Sequence, residues 1–168
     1  MNAAALEPPD IHYLNAAQGW FELGDSKSAG EELEHIAAPL RLHPDVLEVR
    51  HAIHARAGEW AACFEITSTI VQLDPSRVGA WIDRSNALHF LGRYQAAWDL
   101  LTPALAKFPN NVFLPYNIAC FACRLDRLDE ARAWLKRACA LVADGPALKG
   151  MALDDPDLEP LRGEISKW

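Results

Sequence analysis

The chain has 168 residues, of which 51% are apolar and 23% are charged, so it is long enough and apolar enough to bury the core of one folded domain. Its formal net charge of −7 argues against general nucleic-acid binding, because a phosphate backbone would repel it and no concentrated basic stripe is visible. No signal region and no membrane-length apolar run is present. We therefore predict a single domain over residues 1–168, located in the cytoplasm, with its four cysteines reduced and with no membrane or nucleic-acid partner.

A period of 34 residues runs through most of the chain and is typical of stacked helix–turn–helix units. Residues 78–111 show it most clearly, with an apolar helical face on each side of Gly92 and a closing Pro109. The turn position recurs as Gly24, Gly58, Gly92 and Asp126, and the small residue that follows recurs as Ala29, Cys63, Ala97 and Ala131. The pattern predicts four repeats, at about 10–43, 44–77, 78–111 and 112–143.

In chain order, the first repeat is the least regular, as expected of a terminal unit. Its closing proline, Pro44, comes late, and Pro39 lies where the second helix should continue, so we expect either a longer second helix or a tighter linker there. The second repeat returns to the pattern. In the third, Pro103 lies inside the second helix and predicts a bend.

The fourth repeat keeps the core register although Asp126 replaces the turn glycine. After it the period ends, and residues 144–168 carry Leu158, Leu161 and Ile165 at helical spacing. We predict that this segment forms a short capping helix that covers the last open face of the repeats.

The four in-register units resemble the tetratricopeptide repeat (TPR) superfamily. The runs FPNNVFLPYNIACFACRLDRLDEARAWL and DPDLEPL are similar to the endings of a group of bacterial TPR-only proteins. The resemblance implies an all-α, right-handed superhelical solenoid of antiparallel helix pairs, in which the first helix of each pair lines a concave groove. It further implies that the groove binds a peptide or protein segment, and it implies neither enzymatic activity nor a cofactor.

Donors and a tyrosine concentrate on the first helices of the third and fourth repeats, and such residues often dominate the energy of an interface. The predicted binding surface there consists of Asn86, His89, Tyr116, Asn117 and Arg124. Asn86 and Asn117 match the asparagines with which some TPR domains clamp a C-terminal carboxylate. The lysine expected one turn before Asn86 is Ile82, so we do not carry that specificity over. Alternatively, both asparagines bond to backbone or solvent.

The same register extends the groove to the first two repeats. The residues predicted to face it are Ile11, Leu14, Gln18, Phe21 and Glu22 in the first repeat and Asp45, Glu48, Ala52, Ala55 and Arg56 in the second. The aromatic and acidic first repeat around Phe21 and Glu22 is the second choice for a binding surface, whereas Ala52 and Ala55 of the second repeat offer a partner little to contact.

Arg50 and Arg84 occupy equivalent positions where the family usually has an apolar residue. A partly buried arginine needs an anion or several acceptors. One interpretation is an internal ion pair with a carboxylate such as Glu65 or Asp99; the other is that both guanidinium groups reach the groove and hold an acidic partner.

Two short spacings could each supply half of a metal site, C-x-x-C at Cys120 and Cys123 and H-x-x-H at His51 and His54. They lie two repeats apart. His89 could be a third ligand for the cysteines, but the sequence offers no fourth. We interpret the cysteines as core residues and predict no metal, no cofactor and no catalytic site.

Two functions remain. The first is an adaptor that binds a protein or peptide segment in the groove, and the second is a dedicated chaperone for a secretion or assembly client. Weak self-association is left open.

Overall fold

The computed structural model describes residues 5–142 and 145–167, and every regular element within them is helical, which confirms the all-α prediction. The α-helices are α1 (Asp10–Glu22), α2 (Ser26–His35), α3 (Pro44–Arg56), α4 (Trp60–Leu73), α5 (Val78–Phe90), α6 (Tyr94–Leu101), α7 (Ala104–Lys107), α8 (Phe113–Arg124), α9 (Leu128–Ala140), α10 (Gly145–Asp154) and α11 (Arg162–Ile165). Two 3₁₀ helices, Ala38–Leu40 and Pro156–Leu161, complete the set. Among the described residues, no helix combines the length and the apolar character needed to cross a membrane.

The chain forms two compact units, Met1–Ala87 and Leu88–Trp168, with the boundary inside α5. We call them the first and second units. In the first, α1 packs against α2 and α3 against α4; in the second, α8 packs against α9. Our expectation that residues 1–168 form a single domain stays a prediction.

The predicted turn positions all adopt the left-handed conformation that closes a helix and reverses the chain. The φ angles are 91° at Gly24, 73° at Gly58, 72° at Gly92 and 59° at Asp126. Glycine meets this demand without steric cost, whereas Asp126 meets it as a residue that tolerates the conformation. Backbone bonds from Asp126 N to Cys123 O and from Arg127 N to Ala122 O close α8 in the same way as the glycine turns close α1 and α3.

The core positions that recur with the period are all buried. The small residue is fully enclosed in every repeat because the paired helices approach too closely for a longer side chain. The buried sets are Ala29, Cys63, Ala97 and Ala131; Leu33, Thr67, Leu101 and Leu135; and Ile36, Ile70, Ala104 and Ala138. The predicted helical register is therefore confirmed residue by residue.

The regular pattern of paired helices is interrupted near Pro39 and at Pro103, the two prolines at which the sequence predicts a departure. Helix α2 ends at His35 and a 3₁₀ helix over Ala38–Leu40 follows, so the second helix of the first repeat does not run a further turn. Pro103 separates α6 from α7, which confirms the bend, because proline cannot donate the backbone bond that would continue α6.

The segment Asp155–Ile165 buries Leu158, Leu161 and Ile165 almost completely, as predicted. Its form differs from the single capping helix that we expected: a 3₁₀ helix leads into the one-turn helix α11. Pro160 lies inside the 3₁₀ helix and removes a backbone donor there, which prevents one continuous α-helix. The segment packs against both α8 and α9, so it covers the first helix of the fourth repeat as well as the second.

Candidate functional site

Three predicted site residues of the second unit converge on the segment Asp155–Ile165. Tyr116 and Arg124 lie at opposite ends of α8, and His89 lies near the end of α5. All three direct polar atoms at Asp155 or Asp157, which follow α10. A segment of the same unit therefore occupies part of the predicted binding surface.

Asp155 is the acceptor at the centre of this arrangement. The Tyr116 hydroxyl donates to its Oδ2 at 2.8 Å, the Cys120 thiol donates to the same oxygen at 3.6 Å, and the backbone N–H of Asp157 donates to Oδ1 at 2.9 Å. Tyr116 is only 5% exposed, and burial, followed by the nearby Cys120 and Asp155, raises the pKa of its phenol. Tyr116 thus stabilises the fold, where we had expected it at an open surface.

Asp157 contacts both His89 and Arg124 of the predicted surface. His89 Nε2 lies 3.1 Å from Asp157 Oδ2, and Arg124 Nε lies 3.7 Å from Asp157 Oδ1. Arg124 also donates to the Tyr94 hydroxyl at 2.6 Å, and its guanidinium carbon lies 4.8 Å from the centre of the Tyr94 ring. Partners within the second unit therefore hold both side chains.

The two asparagines are partly exposed. Asn117 Nδ2 donates to the backbone oxygen of Phe113 at 2.7 Å, which is the structural alternative that we considered for it. Asn86 lies in the first unit, whereas the other four residues of the predicted surface lie in the second. Binding by these asparagines stays a prediction.

The arginines at equivalent positions have different surroundings. Arg50 Nη2 lies 3.1 Å from Glu34 Oε1, so an internal ion pair forms, but its partner is Glu34 on α2 and we had named Glu65. Because α2 packs against α3, Glu34 lies within reach of Arg50. Arg41 also binds Glu34, at 2.8 Å. Arg84 places its guanidinium carbon 4.9 Å from the Trp81 ring centre, and burial lowers its pKa.

The structure brings possible metal donors together more closely than the sequence suggests. One donor atom each from Cys120, Asp155 and Asp157 lie within 4.8 Å of one another. Hydrogen bonds already satisfy them, because Asp155 accepts the thiol proton of Cys120 and Asp157 faces His89. Burial and the two carboxylates raise the pKa of the Cys120 thiol, and burial foremost raises that of Cys123 to about 11, opposite to the shift of a redox-active thiol.

The histidines of the H-x-x-H spacing point to different carboxylates. His51 Nδ1 lies 3.9 Å from Asp83, and His54 Nδ1 lies 2.5 Å from Glu59. Each ring therefore has its own acidic neighbour, and this geometry does not favour a shared metal ion.

We expect thermal melts of the protein in chelator, in reductant and in plain buffer to coincide. The reason is that the network around Asp155 satisfies its donors and acceptors within the protein, and its thiols are held protonated. Differential scanning calorimetry with and without EDTA and with and without a phosphine reductant makes the comparison. A drop of several degrees with EDTA alone would instead show that a metal ion stabilises the protein, with Cys120, Asp155 and Asp157 as its candidate ligands.

The first unit has an open groove where the register predicts one. Its volume is about 320 Å³, and it runs between the faces of α1 and α3. Its lining consists of Gln18, Phe21, Glu22, Glu48, Val49 and Ala52. Arg56 stacks its guanidinium carbon 3.6 Å from the Phe21 ring centre and donates to the Phe21 backbone oxygen at 2.8 Å. Unlike the surface around Asp157, this groove contains no bound segment from the described part of the unit.

Arg77 is a residue of this region that the sequence reasoning missed. It binds Asp45 at 2.6 Å, Glu48 at 2.8 Å and Asp74 at 2.9 Å. Although burial lowers the pKa of its guanidinium, the three carboxylates raise it above the ordinary value overall. The spacing of Asp74 and Arg77 within one turn hints at their pairing, but the two contacts to α3 have no such local signal.

Helix pairs that repeat every 34 residues, each joined by a turn with one residue in the left-handed backbone conformation, are typical of the TPR fold. Comparison with solved structures confirms this fold. A structure described as MamA 41-end from Desulfovibrio magneticus RS-1 has a TM-score of 0.76 at 17% identity and covers 97% of this chain and 94% of its own. A thermophilic TPR protein of Thermus thermophilus has a TM-score of 0.66 at 19% identity, over 95% of this chain and 100% of its own.

A third solved structure is the Yersinia enterocolitica type III secretion chaperone SycD in complex with a peptide of the translocator YopD. Its TM-score is 0.62 at 16% identity, over 72% of this chain and 90% of its own. No protein-family model matches the sequence, and a search of curated proteins finds no match either. At these identities the structural likeness shows the fold, and the function has to be argued from the residues.

Proposed function

We propose that this protein is an interaction module that binds a peptide or protein segment in the groove between α1 and α3. The observation that carries the proposal is the groove itself, which is open, combines an apolar floor with carboxylates, and lies on the first helices of two successive repeats. Small, partly apolar concave surfaces with a few polar groups are the usual places for ligands. The module acts by binding, without catalysis or a cofactor.

The likeness to SycD supports this class of function, since that structure holds a peptide on the same fold. The surface around His89, Tyr116 and Arg124 is a second candidate in our proposal. We rank it lower because Asp155 and Asp157 already bind those side chains. A partner there would have to compete with contacts within the second unit.

A photoreactive amino acid in place of Gln18, which is exposed in the groove, tests the proposal in cells of the source organism. The matched control places the same residue at Gln72, which is exposed on the second helix of a repeat. We expect a discrete crosslinked partner at position 18 and none at position 72, because only the first position faces the groove. Equal or absent crosslinking at both positions would contradict the proposal.

The identity of the crosslinked proteins also separates the two functions. A dedicated chaperone for a secretion or assembly client is the second candidate, and the likeness to SycD favours it. One abundant secreted or assembled client would support the chaperone. Several cytoplasmic partners would support the adaptor.

A further inference from the structure

We propose that the groove between α1 and α3 selects a partner segment that carries lysine or arginine beside apolar side chains. This inference rests on the proposed function and names the chemistry of its partner. It depends on three features of the first unit: where the net charge lies, how the groove carboxylates are neutralised, and what forms the groove floor.

The net negative charge of the protein lies entirely in the first unit. Residues 1–87 hold 13 acidic and six basic side chains, whereas residues 88–168 hold 10 of each. The difference of −7 in the first unit equals the formal net charge of the whole chain. A cationic segment is therefore attracted to the unit that contains the groove, while an acidic peptide or a nucleic acid is repelled from it.

Three of the six basic side chains of the first unit are engaged away from the groove. Arg41 and Arg50 bind Glu34, and Lys27 binds Glu31. Arg56 lies beside Phe21, where it bonds to the ring and to a backbone oxygen. These contacts leave few cations for the carboxylates that line the groove.

Glu22 and Glu48 are both exposed at the groove and are incompletely neutralised. Among the residues that the structure describes, no basic nitrogen forms an ion pair with Glu22 within 4.0 Å. Glu48 shares the single guanidinium of Arg77 with Asp45 and Asp74. A partner's lysine or arginine would supply the missing charge at both carboxylates.

Burial is the main cause that raises the pKa of the Asp83 carboxyl. His51 at 3.9 Å lowers this pKa in part, and the charge of Glu48 makes the smallest contribution that raises it. A cation bound near Glu48 would relieve that repulsion.

The groove has an apolar part, since Phe21, Val49 and Ala52 line it together with the two carboxylates. Val49 is buried, and Phe21 is partly exposed beside the guanidinium of Arg56. Apolar side chains of a partner would cover this floor while its basic side chains reach Glu22 and Glu48. The combination favours an amphipathic segment over a uniformly charged one.

A display library of random 12-residue peptides is the probe that tests this inference, with the full-length protein as the immobilised target. We expect the selected peptides to be enriched in lysine and arginine together with apolar residues. We further expect Glu22→Lys to weaken their binding by about tenfold or more, because it replaces attraction with repulsion. Glu65→Lys makes the same change of charge at an exposed position of α4 and should alter binding by less than about twofold.

The possible outcomes separate this inference from the proposed function. Selected peptides without a basic bias, whose binding is nevertheless lost with Phe21→Ala, would overturn the partner chemistry and keep the groove as the binding site. Equal losses for Glu22→Lys and Glu65→Lys would show a general charge effect and would also overturn the inference. A library with no peptide whose binding depends on Phe21 or Glu22 would count against both.

Discussion

Leu158→Ala is expected to lower the free energy of unfolding by about 3 kcal/mol, which lies within the range for a fully buried leucine. The side chain has no exposed surface and belongs to a core cluster with Leu135, Leu161 and Ile165. Truncation removes apolar contacts and leaves a cavity that the surrounding helices close only partly. Urea denaturation followed by circular dichroism measures the loss.

The neighbouring residue provides the control. Glu159 is exposed, so Glu159→Ala should change the free energy of unfolding by no more than about 0.5 kcal/mol. If Leu158→Ala were as mild as Glu159→Ala, the segment Asp155–Ile165 would not be part of the core. The surface around His89 and Arg124 would then be open to a partner after all.

Asp155→Ala is expected to lower the free energy of unfolding by about 2 to 4 kcal/mol, because it removes the acceptor of three donors. The Tyr116 hydroxyl would remain buried without its partner, and the 3₁₀ helix would lose the side chain that caps it. Asp154→Ala is the matched control, since Asp154 is an exposed carboxylate one residue earlier. Urea denaturation again gives the comparison, and the control should lie close to the parent protein.

Tyr116→Phe shows whether the hydrogen bond itself matters. Alone, Tyr116→Phe should lower the free energy of unfolding by about 1 to 2 kcal/mol. In a protein that already carries Asp155→Ala the loss should be smaller, since the acceptor of the Tyr116 hydroxyl is absent there. Equal losses in the two backgrounds would mean that Tyr116 and Asp155 are not coupled.

The sequence predicts the repeat architecture well because the 34-residue period determines where the turns and the core positions lie. Gly24 and Gly92 mark the turns, Pro103 marks the break between α6 and α7, and both signals are local. Asp126 was harder, since aspartate has no obligatory turn role, but its place in the register identifies it. Each of these features depends on residues within one repeat or at a fixed spacing.

The candidate site was predicted less well, because a register gives the face of a helix and not what covers that face. Tyr116 was placed on the correct helix, but its hydrogen-bond partner lies 39 residues later, in a segment without the period. Similarly, Arg50 has carboxylates on both neighbouring second helices, and the sequence could not choose Glu34 over Glu65. In both cases the sequence reasoning missed the partner residue. The 34-residue period does not show which side chains of different helices or segments come into contact.

The way in which α10 and the segment Asp155–Ile165 cover the fourth repeat constrains how this repeat array can change in length. Leu148, Leu158 and Leu161 fill the surface of α8 and α9 on which the first helix of a fifth repeat would stack. A repeat duplicated directly after α9 would therefore displace three buried leucines, whereas one duplicated within the first unit would displace none of them. Insertion upstream would therefore leave the closing segment Asp155–Ile165 in place on α8 and α9.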